Sequence, residues 1–172
     1  MIGDGAAQLV ARAFAARSRR LDDPAATLNR FFEVYERDPT ANTVLYEGVR
    51  ETLKTLQGLG KALAVCTNKP SRSANEILRR LDVAQFFSQV VGGDTHAFRK
   101  PDPRMLTLLI AGFGVRTAEA LMVGDSEVDA ATAEAAQVPF ALMTYGYRRG
   151  PVADIRCVSA VDRFSDLWLV RA

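Results

Sequence analysis

Leu121-Met122-Val123-Gly124-Asp125-Ser126-Glu127-Val128-Asp129-Ala130-Ala131-Thr132-Ala133 is the stretch on which the fold turns. The apolar run Ala120 to Val123 reads as a buried strand. Gly124 breaks it, and the alanine-rich segment to Ala136 reads as a helix. Asp125 falls where the strand ends, and Ser126 is placed to act as the helix N-cap. In a parallel α/β sheet, ligands bind at the carboxyl ends of strands. Asp125 and Asp129 are four residues apart, so both project from one side of a helix that starts here. Two hard oxygen ligands suit Mg²⁺, which takes one or two carboxylates and keeps several waters. The competing reading is an exposed acid pair that only favours the helix dipole. The strand-Gly-Asp context favours the first.

The grammar upstream agrees. From Gly48 onward, helix and strand alternate. Val49, Leu53 and Leu56 form one helix face, and Lys61 to Cys66 reads as a buried strand followed by Thr67-Asn68-Lys69-Pro70. Ser71 to Leu81 reads as a helix, and a short strand lies within Phe86 to Val91. Arg99-Lys100-Pro101-Asp102-Pro103 is a rigid loop, and Pro103 suits the first turn of a helix reaching Phe113. Downstream, Phe140 to Met143 reads as a strand, Tyr145 to Pro151 as a loop, Ile155 to Ser159 as a last strand and Arg163 to Val170 as a closing helix. Repeated strand-loop-helix units predict an α/β fold with a doubly wound, Rossmann-like parallel sheet. The segment before Gly48 differs. Ala6 to Arg17 and Thr27 to Arg37 have helical spacing only, and together they read as a small helical unit.

Bulk properties exclude several classes. The chain has 172 residues, room for one domain with a small appendage, and 48% are apolar. A formal net charge of +2 argues for neither nucleic acid nor membrane as a partner. Cys66 and Cys157 are isolated, without metal-type spacing, and read as inert thiols in a reducing compartment. No charged segment followed by a long apolar run marks a signal peptide, so the expected location is cytoplasmic.

Three strand-end loops should open on one edge of the sheet: Thr67-Asn68, Lys100, and Asp125 with Asp129. Thr67 offers a hydroxyl and a backbone N–H to a phosphate oxygen, and Asn68 adds an amide donor. The helix that follows directs its N-terminus at the same place. Lys100 is a point charge suited to phosphate or carboxylate. Taken singly, each feature also fits a cap, a turn or a solvated lysine. Their order, each after an expected strand, joins them. His96, Phe31, Phe32, Tyr35, Arg148, Arg149, Glu127 and Glu134 read as packing or solvent-facing residues.

CTNKP (66–70), RKPDP (99–103) and GDSEVDAATA (124–133) resemble the second, third and fourth motifs of the haloacid dehalogenase superfamily. IGDGAAQLVARAF (2–14) and YGYRRGP (145–151) are similar to its phosphoglycolate phosphatase branch. The resemblance implies a partial helical cap over 1–46 and a haloacid dehalogenase-like α/β core over 47–172. It also implies a Mg²⁺-dependent phosphatase of a small phosphorylated acid, 2-phosphoglycolate being the favoured substrate. In that chemistry an aspartate attacks phosphorus, a second aspartate moves a proton, and Mg²⁺ offsets the charge on the transferring group. By resemblance, Asp125 is a direct metal ligand and Asp129 acts in the outer shell. Thr67 and Asn68 bind phosphate, Lys100 holds phosphate and nucleophile together, and Gly3, Asp4 and Gly5 form a cap loop that touches substrate. A dehalogenase fits less well because it needs no metal. A sugar-phosphate mutase stays open.

One motif of the resemblance is missing. The superfamily's first motif is a strand ending Asp-x-Asp-Gly-Thr, and no two aspartates of this sequence stand two apart. Gly3-Asp4-Gly5 is no substitute, because Ile2 occupies the nucleophile's place. Nucleophile and general acid/base are therefore both expected to be absent, and the chain is expected to be inactive or nearly so. The resemblance places the missing strand centrally, between the strands ending at Cys66 and Val123. An N-terminal truncation is the favoured explanation. Filling of the gap by another segment or a second copy, and closure of the sheet, are the alternatives. A non-catalytic remnant that binds metal, phosphate or a partner chain is the alternative function. Exposed strand edges would invite self-association.

Overall fold

The computed structural model describes residues 5–38, 40 and 42–170. Two helices come first, α1 (Ala6–Ala15) and α2 (Pro24–Tyr35). The α2 helix begins three residues earlier than its apolar spacing suggests. Pro24 suits the first helical position, and the Asp23 carboxylate caps it by accepting the Ala26 N–H at 2.9 Å. These helices pack on one another, but only Val10 of α1 and no residue of α2 is fully buried.

The remainder alternates: α3 (Val49–Gly58), β1 (Ala64–Cys66), α4 (Ser71–Arg80), β2 (Gln89–Val91), α5 (Arg104–Phe113), β3 (Met122–Gly124), α6 (Glu127–Ala135), β4 (Phe140–Met143) and β5 (Ser159–Val161). Every pairing is parallel. The β4 strand shows why both faces of the sheet are covered. Its side chains alternate, and all four are buried. Phe140 and Leu142 join Leu106 and Ile110 of α5 and Ala133 of α6 in one cluster. Ala141 and Met143 face the other way, against Val161 and Leu167. The expected α/β, doubly wound arrangement is therefore present.

One expectation near the C-terminus needs correction. The last strand is Ser159–Val161, not Ile155 to Ser159. Ile155 and Cys157 do pack on the core, but from a loop, so their apolar character marks burial and not strand. Register instead pairs Ala141 with Ser159 and Met143 with Val161. The expected closing helix is present as a 3-10 helix over Phe164–Leu169.

The five strands form two separate sheets, β1-β2 and β3-β4-β5. Among the described residues no strand lies between β1 and β3, and those two do not pair with each other. The sheet has not closed up. Exposure tells the same story: β4, with a neighbour on each side, is wholly buried, whereas all three residues of β1 are half-buried and Val123 of β3 is 38% exposed. No helix among the described residues is long and apolar enough to cross a membrane.

Candidate active site

Strand ends bring the expected residues together. Thr67, Asn68, Lys100, Asp125, Ser126 and Asp129 line one cavity of about 290 Å³. Its opposite wall is Gly5, Ala6 and Leu9 at α1 and Phe31, Phe32 and Tyr35 of α2. Of the cap-loop residues expected to touch substrate, Gly5 lines the cavity, and Gly3 and Asp4 lie outside the described residues.

Lys100 is held at both its ammonium and its backbone. Its Nζ donates to Asp129 Oδ1 at 2.6 Å, with side chains 11% and 9% exposed. Its backbone is fixed by a reciprocal pair: Asn68 Nδ2 donates to the Lys100 carbonyl, and the Lys100 N–H donates to Asn68 Oδ1, each at 2.9 Å. The Asn68 amide therefore positions the lysine loop, a task its type and spacing do not reveal.

Thr67 is also more constrained than its sequence suggests. Its backbone N–H donates to the Val91 carbonyl as part of the sheet, so only the hydroxyl remains for a ligand. That hydroxyl accepts the Lys69 N–H at 3.1 Å, which aligns the turn. The N-terminus of α4 is partly engaged too. Ser71 donates through its N–H and hydroxyl to Asp94 at 2.7 and 2.8 Å. The Ser71 backbone N–H, then its hydroxyl, hold the Asp94 carboxyl below its ordinary range.

Asp129 accepts at both oxygens. Besides Lys100, it receives Ser126 Oγ at 2.6 Å and the Asp125 N–H at 3.2 Å on Oδ2. Asp125 is held by the loop after β4. The Tyr147 N–H donates to Asp125 Oδ2 at 2.7 Å. This approach requires Gly146, whose φ is +117° and whose hypothetical Cβ would lie 2.0 Å from Asp125 Oδ2. Gly124 works similarly: a Cβ there would meet Asp129 Cγ at 2.5 Å. Tyr145 anchors the loop through its ring, 4.4 Å from that of Tyr46.

Glu127 was expected to face water. Instead its Oε1 accepts the N–H groups of Arg149 and Gly150 at 2.7 and 2.8 Å. Burial pushes this carboxyl up. The N–H groups of Gly150, Glu127 itself and Arg149, with the Arg149 charge, outweigh that and hold it at about 2. Glu127 thus ties down the loop that holds Asp125. Its partners are 22 and 23 residues away, and no local pattern announces them. Glu134, as expected, is exposed, and it pairs with Arg156 at 3.5 Å. His96 stacks on Phe98 at 5.0 Å, outside the cavity lining.

The donor set can be tested against Mg²⁺. Among the described residues no three His, Cys, Asp or Glu side chains cluster into a protein-only cage. Asp125 lines the cavity, and among the described residues no protein group donates to its Oδ1, which leaves that hard oxygen open to a cation. That fits a cation that keeps most of its waters. Asp129 is engaged at both oxygens, by Lys100 on Oδ1 and by Ser126 and the Asp125 N–H on Oδ2. Cys66, at the end of β1, is outside the cavity lining. Burial raises its thiol pKa above the ordinary 9.0, Lys100 lowers it less, and Asp129 adds to the rise.

Residues 6–143 match the family model described as haloacid dehalogenase-like hydrolase. The chain is 48% identical over 177 residues to a phosphoglycolate phosphatase of Rhodospirillum rubrum, covering 98% of this chain and 73% of that protein. It is 45% identical over 156 residues to a phosphoglycolate phosphatase of Cereibacter sphaeroides, covering 90% and 71%. The fold superposes on a crystal structure of a predicted phosphoglycolate phosphatase from Haemophilus somnus with a TM-score of 0.87. That match has 32% identity and covers 98% of this chain and 78% of the other.

Proposed function

We propose a phosphomonoester-hydrolase site in this chain, which belongs to the haloacid dehalogenase-like hydrolase family and is a homologue of phosphoglycolate phosphatases. The site takes a small phosphorylated acid, with 2-phosphoglycolate as the favoured substrate. One observation carries the reading: a half-buried lysine, fixed at its backbone by Asn68 and at its ammonium by Asp129, shares a cavity with Thr67 and Asp125. A positive charge at a cavity wall, held at its backbone and at its ammonium, is pre-organised for an anion.

Each residue then has a task. The Thr67 hydroxyl donates to a phosphoryl oxygen. Lys100 neutralises the phosphoryl group and keeps it facing the strand ends. Asp129 holds the ammonium and, through the Asp125 N–H, the head of α6. Asp125 presents a carboxylate oxygen to Mg²⁺, and Ser126 orients Asp129. When bound, Mg²⁺ offsets the charge of the transferring group.

The sequence offers no Asp-x-Asp pair to attack phosphorus and move the proton. The 172-residue protein is therefore expected to bind this ligand with turnover near background. The same observation favours a second reading, a binding protein that never turns substrate over. Calorimetric titration of the pure protein with 2-phosphoglycolate and Mg²⁺ tests the site. We expect saturable binding that Lys100→Met weakens about 10–100-fold, the scale of a lost charge-assisted hydrogen bond. No saturable binding at millimolar ligand would overturn it. A Mg²⁺-dependent release of phosphate that Asp125→Ala abolishes would reject the non-catalytic reading.

A further inference from the structure

Two cations line the cavity among the described residues, Lys69 and Lys100. Lys100 is matched by Asp129 at 2.6 Å. Lys69 differs. Its Nζ meets no carboxylate among the described residues; it donates to the Tyr35 hydroxyl and lies 4.8 Å from the centre of the Tyr35 ring. A half-buried ammonium against a neutral phenol keeps an unanswered positive charge at the ligand cavity.

The position of Lys69 is not accidental to the backbone. Its N–H donates to Thr67 Oγ1 and its carbonyl accepts the Gly93 N–H at 2.9 Å, so the stem leaves a turn pinned on both sides. Tyr35 is braced in turn. Its ring stacks on Phe31 at 5.7 Å and 8°, and Phe31 meets Phe32 edge-on at 5.6 Å. Apart from this pair, the wall supplied by α1 and α2 is apolar. It gives an uncharged ligand tail nothing ionic and gives an anionic tail one partner.

We propose that Lys69, seated under Tyr35 where α2 meets the loop after β1, determines specificity by binding the second anionic group, a carboxylate, of a short phosphorylated acid. This rests on the phosphomonoester reading above. The carboxylate would take one ammonium hydrogen and the Tyr35 hydroxyl proton as hydrogen bonds, with no covalent step. It would also tie α2 to the core, because Tyr35 and Lys69 come from the two sides of the cavity. Phosphate recognition stays with Thr67, Lys100 and the cation at Asp125, so the two ends of the ligand are read separately.

The experiment compares two probes of similar size, 2-phosphoglycolate and ethyl phosphate, by calorimetry with Mg²⁺. They differ in the carboxylate. The native protein should prefer 2-phosphoglycolate about tenfold or more. Lys69→Gln should bring the ratio towards one, Lys69→Arg should keep most of the preference, and Tyr35→Phe should give an intermediate ratio. A full preference in a folded Lys69→Gln protein would overturn the proposal, as would equal binding of both esters by the native protein. Binding of neither ester by the native protein would overturn the phosphomonoester reading and this one with it. Retained binding of both with a lost ratio in Lys69→Gln would leave the first standing and support the second.

Discussion

At 11% and 9% side-chain exposure, Lys100 and Asp129 sit where water does little for either charge. Each therefore depends on the other. Lys100→Met should cost about 3–5 kcal/mol in chemical denaturation, because it leaves Asp129 buried without its counter-ion. Lys100→Met combined with Asp129→Asn should recover part of that loss, since Asn still accepts from Ser126 without the charge. A double-mutant cycle should show coupling on the order of 1–3 kcal/mol; purely additive losses would mean the pair is not a unit. Glu127 gives a pH prediction. Its carboxyl is lowered from 4.5 to about 2 in the folded protein. A depressed acid adds stability above its unfolded pKa, and that contribution disappears as pH falls through the folded value. Thermal melting of Glu127→Gln should therefore lie below that of the native protein at pH 6, with the gap narrowing between pH 4.5 and 2. A gap that is constant across that window would refute the role given to Glu127. Lys100, Asp125 and Asp129 could be picked out from type and position after a strand. Glu127 could not, because what gives it a task is a loop that folds back from more than twenty residues away.

Between elements, stability should be uneven. All four residues of β4 are buried, with α5 and α6 against one face and Val161 and Leu167 against the other. The α2 helix has no fully buried residue, and α1 has one. Few buried contacts mean cheap local opening. Amide exchange should be slowest at Phe140–Met143 and fastest, among the helices, in Pro24–Tyr35. Adding 2-phosphoglycolate and Mg²⁺ should slow α2 if the ligand bridges Tyr35 and Lys69. Uniform protection across α2 and β4 before ligand is added would contradict this ordering. The same contrast explains what could be read from sequence. Phe140 to Met143 is a short apolar run between turn residues, and its observed bounds coincide with the expected ones. The last strand lies beyond its apolar signal, because Ile155 and Cys157 are apolar for core contacts made by a loop. Alternation alone does not separate that from a strand at Ser159–Val161, whose register is set by β4. The early start of α2 had a visible signal, Asp23-Pro24, which the apolar stripe alone overlooks.

The molecule as a whole is defined by the interval between its two sheets. Among the described residues, β1 and β3 have one parallel partner each, and their carboxyl ends feed the same cavity through Thr67 and Asp125. Edges of this kind accept a further strand by backbone hydrogen bonding. The family resemblance supplies its chemistry: an apolar strand ending Asp-x-Asp-Gly-Thr. A synthetic peptide of that pattern, added to the pure protein, should raise the melting temperature in a saturable way, since a ligand of the folded state alone stabilises it by mass action. It should also bring Mg²⁺-dependent release of phosphate from 2-phosphoglycolate. Changing the peptide's first Asp to Asn should keep the thermal shift and remove the turnover, because ladder bonds come from the backbone and attack comes from the carboxylate. The competing occupant is a second copy of the chain joined edge to edge. It would appear in sedimentation as a concentration-dependent dimer that the peptide dissociates. A peptide that neither stabilises the protein nor dissociates a dimer would mean that the interval between β1 and β3 does not take a strand. The cavity would then have to be judged as the proposed binding site alone.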